Sequence, residues 1–82
     1  MHLFNKRKMT FSKQKLEYLM AEHGLTCYAA DKKCGFVGFN SGAATGETWA
    51  ILHGRKPNAD TLWKLANGFG VPMEYFFEEN PA

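Results

Sequence analysis

Between Thr45 and Phe77 the chain reads TGETWAILHGRKPNADTLWKLANGFGVPMEYFF, and residues that begin or end helices interrupt it at three places. Gly54 suits the left-handed position just past a helix end, and Asn58 after Pro57 suits the cap of the next helix. Pro72 fits a first helical turn, where its missing N–H has no partner to lose. The pattern predicts short helices over about 45–53, 58–67 and 72–78. In the first, Trp49 and Leu52, with Ile51 and Thr48, turn inward, and Glu47, Ala50 and His53 face out. In the second, Leu62, Leu65, Ala66 and Phe69 recur at helical spacing, and Trp63 falls off that stripe. The third gives Val71, Tyr75 and Phe76 to a core and leaves Met73 and Phe77 as candidates for a dimer interface.

Upstream, Leu16, Leu19, Met20 and His23 mark one face of a helix over about 12–23, capped by Ser12 or Thr10 and ended by Gly24. Thr26 caps a second helix running to about Cys34, and Gly35 stops it. Residues 34–46 then carry no charge and hold four of the eight glycines, with Phe36, Val37 and Phe39 among them. Flexible linkers lack such aromatics, so the expectation is an ordered loop whose Phe side chains plug the core. A strand over 36–39 has no obvious partner in the pattern. No Lys-Ser/Thr pair follows these glycines, so they do not form a phosphate-binding loop.

Eighty-two residues at 45% hydrophobic and 15% aromatic composition suffice for one small folded domain. The expected organisation is a basic arm over 1–9, a domain over 10–78 and a short tail over 79–82. No signal-peptide pattern opens the chain and no apolar run reaches the roughly 20 residues of a membrane helix. The expectation is a soluble cytoplasmic protein without a membrane partner. Net charge is +2, but residues 1–33 hold seven Lys/Arg against three Asp/Glu, a balance of +4, and residues 34–82 hold three against five, a balance of −2. Lys6, Arg7 and Lys8 concentrate the basic excess in the arm, where they suit DNA phosphates.

The run from Gly54 to Phe77 resembles the lambda-repressor-like (XRE/Cro-type) helix-turn-helix domains. The likeness is carried by Gly54-Arg55-Lys56-Pro57, Thr61-Leu62, Lys64-Leu65-Ala66 and Gly70-Val71, and His23-Gly24-Leu25-Thr26 looks like the family's opening. The resemblance implies an all-α, compact five-helix domain, here with an extended Gly/Phe-rich loop between helices 2 and 3. It implies a bacterial or phage-type transcriptional regulator, repressor-like, acting as a homodimer on double-stranded DNA. The third helix would lie in the major groove, bringing Asn40, Ser41, Thr45, Glu47 and Thr48 to base edges. Arg55, Lys56 and Asn58, with the helix start at Thr26, would hold phosphates.

Two other readings stand beside it. One is an antitoxin whose partner is a toxin, and the other is a protein-interaction module that keeps the fold without binding DNA. Cys27 and Cys34, seven residues apart on one helix, stand roughly 10 Å apart along its axis, too far for a disulfide. With His23 and His53 they match no common zinc spacing, so no metal or other cofactor is expected. No nucleophile–base–orienter set or carboxylate pair can be assembled, which argues against an enzyme.

Overall fold

The computed structural model describes residues 8–80. The domain is mostly helical: strand β1 (Lys8–Phe11), helices α1 (Lys13–His23), α2 (Cys27–Cys34), α3 (Glu47–Leu52) and α4 (Ala59–Phe69), a 3-10 turn (Met73–Phe76) and strand β2 (Phe77–Asn80). Four of the five helices expected from the sequence pattern are therefore present. The expected fifth helix is not: after one 3-10 turn the chain straightens into β2 and pairs antiparallel with β1, with Phe11 opposite Phe77 and Met9 opposite Glu79. The ribbon runs through both expected boundaries of the domain, 9/10 and 78/79. Lys6 and Arg7 of the expected basic arm lie outside the described residues, and Lys8 is the first residue of β1.

One device ends all four helices. Gly24, Gly35, Gly54 and Gly70 take positive φ, and the next residue's N–H donates to the carbonyl five positions back. These bonds are Leu25 to Met20 at 2.8 Å, Phe36 to Asp31 at 2.8 Å, Arg55 to Ala50 at 2.9 Å and Val71 to Ala66 at 3.0 Å. The geometry closes the last turn on otherwise unpaired carbonyls and directs the following side chain back onto the helix. Leu25, Phe36 and Val71 accordingly pack inward. At the exit of α3 the position is Arg55, and the chain there remains in solvent.

Leu16, Leu19 and Met20 of α1, Ala30 and Cys34 of α2, Ile51 of α3 and the buried stripe of α4 close on Phe36 and Phe76 to form the core. Removing these side chains from water supplies the driving force for the fold. Helices α2 and α4 approach closely at Gly68, where an added Cβ would meet Cys34 Sγ at 2.7 Å and Cys34 Cα at 2.9 Å. Phe11 stacks on Phe76 at 5.8 Å and meets Phe77 edge-on at 6.5 Å, which ties the ribbon to the helices. Met73 and Phe77, the candidates for a dimer interface, are half-buried and pack against the core, which leaves only part of each side chain for a partner.

Residues 36–45 form a short hairpin. Val37 pairs with Ala44, Gly38 N–H donates to Ala43 O at 2.8 Å, and Thr45 N–H donates to Phe36 O at 3.0 Å. The strand partner missing from the sequence pattern is thus the other half of the same loop. Of the two phenylalanines, Phe36 plugs the core as expected; Phe39, at the tip, is 99% exposed.

Candidate nucleic-acid interface

Helix α3 begins at Gly46, which has no side chain to cap the free amides of a first turn. A carboxylate from α2 does this instead. Asp31 is only 1% exposed and accepts from Gly46 N–H at 2.8 Å, Thr48 N–H at 2.9 Å and the Thr48 hydroxyl at 2.6 Å. A buried carboxylate requires such donors, and its negative charge suits the positive end of the α3 backbone dipole. Asp31 therefore sets the angle between α2 and α3 with the hairpin left outside the joint. Lys32, next to it, holds the hairpin by donating to Gly42 O at 2.9 Å, its ammonium 5.5 Å from the Tyr28 ring centre.

This arrangement corrects the expected base-reading set. Thr48 is fully buried and its hydroxyl is committed to Asp31, so it cannot present itself to a base. The Glu47 side chain is 19% exposed and lies 3.6 Å from Arg55, whose own side chain is 64% exposed. Asn40 and Ser41 are exposed at the hairpin tip, where Ser41 Oγ accepts from Ala43 N–H at 3.1 Å, and Thr45 is exposed at the hairpin's end. Trp49 turns outward rather than inward and stacks on His53, ring centres 3.8 Å apart. His53 Nδ1 lies 2.9 Å from Trp49 O, so a proton there leaves Nε2 free to accept. The outward faces of Trp49 and His53 were legible only in part: His53 was expected outside, but a Trp in an apolar run reads as core.

Two of the candidate phosphate-holding cations, Arg55 and Lys56, stand exposed just after α3. Arg55 and Lys56 share a groove with Lys13 and Gln14 at the start of α1. Lys56 has no ion-pair partner among the described residues. Thr26 caps α2 by accepting from Ala29 N–H at 3.1 Å, and Asn58 caps α4 by accepting from Thr61 N–H at 2.8 Å. The start of α4 is a poorer phosphate site than the sequence implied. Asp60 stands exposed in its first turn, 3.5 Å from Lys64, and puts negative charge where a phosphate would approach.

Both cysteines are free, Cys34 buried and Cys27 half-buried. Burial pushes the Cys34 thiol up to about 11. That leaves it protonated and unreactive near neutrality, a packing group rather than a nucleophile. No helix of the described residues is long and apolar enough to cross a membrane. Comparison with known proteins finds no matching family model, no matching curated protein and no matching solved structure.

Proposed function

We propose that this protein is a sequence-specific DNA-binding regulator of the lambda-repressor-like helix-turn-helix kind, working as a homodimer. The observation that carries the reading is the exit of α3. Three helices send an apolar residue inward after their terminal glycine, and this one sends Arg55-Lys56 into solvent beside Lys13. A cationic turn at the end of a helix whose start is locked to its neighbour suits phosphate contacts that fix register. Thr45, Asn40 and Ser41, with His53, are the polar groups that would approach base edges, and Glu47 joins them only by leaving Arg55. Dimerisation follows from economy of contact, since one six-residue helix meets too few base pairs for useful specificity.

The test is fluorescence anisotropy with random and selected labelled duplexes across a salt series. Tight binding that weakens steeply with salt is expected. Arg55→Ala with Lys56→Ala should weaken every sequence about equally, as lost phosphate contacts do. Absence of binding even at low salt would overturn the proposal. The second reading, an interaction module or antitoxin, is favoured by one observation: Phe39 stands 99% exposed on an ordered tip, as an anchor for a protein partner would.

A further inference from the structure

We propose that the groove between β1 and the turn joining α3 to α4 is a binding site for a small amphipathic anion, a carboxylate with an aliphatic or aryl body. The groove encloses about 550 Å³, within the usual range of small-molecule sites. Its floor is core: Ile51 and Leu62 reach it from α3 and α4. Phe11 and Phe77 form one wall, and the exposed Met9 side chain stands at its lip. Lys13, Arg55 and Lys56 also line it, and among the described residues no Asp or Glu does.

The three cations are not equally committed. Lys13 Nζ donates to Leu52 O at 3.4 Å and Arg55 is 3.6 Å from Glu47. Lys56 has neither kind of partner among the described residues. Gln14 spends its oxygen on the Ser12 hydroxyl at 3.4 Å, which leaves its amide hydrogens to donate.

An apolar floor under a cationic rim selects its occupant. A bare phosphate would leave the exposed Met9 side chain and the half-buried Phe11 and Phe77 rings uncovered, and a neutral hydrocarbon would cover the rim without answering its charge. A protein partner asks for more, since a stable interface buries about 800 Å² on each side. One anionic head on an apolar tail satisfies both surfaces. Bound there, such an anion competes with a duplex phosphate for Arg55 and Lys56.

The experiment is an NMR titration of the intact ¹⁵N-labelled protein with sodium octanoate, with octan-1-ol and with inorganic phosphate at matched ionic strength. Octanoate is expected to shift the amides of Thr10, Phe11, Gly54, Lys56 and Leu62 saturably. Octanol should bind roughly tenfold more weakly, the loss of about 1.4 kcal/mol of charge recognition. Phosphate should move at most Gly54 and Lys56, weakly and without saturation, and leave Thr10, Phe11 and Leu62 in place. Lys56→Gln, a change on an exposed turn, should weaken octanoate roughly two- to fivefold and leave octanol unchanged. Shifts centred elsewhere, equal binding of octanol and octanoate, or indifference to Lys56→Gln would overturn the proposal. The titration contains no DNA, so its failure would leave duplex binding standing, and a failure of duplex binding would leave the groove.

Discussion

Asp31 joins two elements through one carboxylate, and its neighbours in the chain give no sign of this. Lys32 and Lys33 follow it, so it reads as part of a solvated face; its partners are 15 and 17 residues further on, at Gly46 and Thr48. Asp31→Asn keeps the shape but turns an NH2 group toward one of the donors it used to accept from. That leaves buried donors facing each other, a loss on the order of 2–3 kcal/mol in a urea titration. Thr48→Val removes one of the three bonds and should cost about 1–2 kcal/mol, while Thr48→Ser retains most of it. If the double variant loses no less than the sum of the singles, the pair does not act as one joint. The clue available in the sequence was Gly46 itself, since a helix start with no capping side chain needs its amides met from elsewhere. Thr48 carried two readings, an inward turn within its helix and a hydroxyl for bases; its burial bears out the first, and the bond to Asp31 shows the hydroxyl spent. At Cys34 the sign of the pH effect is fixed by burial, which raises the folded thiol from its ordinary 9.0 to about 11. The stabilisation is whole below pH 9 and is lost as pH rises through 11. Melting temperatures between those limits should fall less in Cys34→Ala than in the parent.

Elements differ in how far their neighbours in sequence determine them. The helices α2 and α4 were legible because capping side chains and closing glycines lie within the segment, and α1 from its apolar spacing and Gly24; neither Ser12 nor Thr10 caps α1, since the Ser12 hydroxyl donates to Gln14 and the Thr10 hydroxyl to Glu78 O. The ribbon was not, because β1 and β2 pair across the whole chain, and four residues at each end look like an arm and a tail. The same locality explains the loop: Val37 and Ala44 close it, but Ala carries little strand preference, so no second apolar run announced the pairing. Helix packing supplies a sharper test. Ala is a better helix former than Gly by about 1 kcal/mol, so Gly68→Ala would stabilise an isolated α4. In the folded protein its Cβ falls 2.9 Å from the Cα of Cys34, a backbone atom that cannot rotate away. Gly68→Ala should therefore destabilise by about 1–3 kcal/mol, with adding Cys34→Ala relieving the sulfur contact but not the backbone one. Within the hairpin, Phe36→Ala should cost about 3–5 kcal/mol as a core deletion, and Phe39→Ser should stay within about 0.5 kcal/mol of the parent. Equal losses at the two positions would mean that the tip is not free in solution.

For the whole molecule, net charge is a poor guide to a nucleic-acid partner; the distribution of cations is a better one. A total of +2 is slight, and the chain places its acidic excess after residue 33, in the same part that holds Arg55 and Lys56. Folding brings Lys13 from the basic third of the chain to these two. Three phosphate contacts per protomer would give log K a slope of about −2.7 against log salt, at about −0.9 for each contact. Two protomers bound to one site double that to about −5.4. Lys56 is the informative position, because it has no ion-pair partner among the described residues to complicate its removal. If the bound species is a dimer, Lys56→Gln should flatten the slope by about 1.8; if it is a monomer, by about 0.9. Glu47→Gln supplies the complementary change, freeing Arg55 and removing a negative charge near the phosphates. Affinity for all duplexes should then rise by roughly two- to fivefold if Glu47 only restrains Arg55. A change in sequence preference would instead put Glu47 against a base, and an unchanged slope in Lys56→Gln would remove Lys56 from the phosphate contacts.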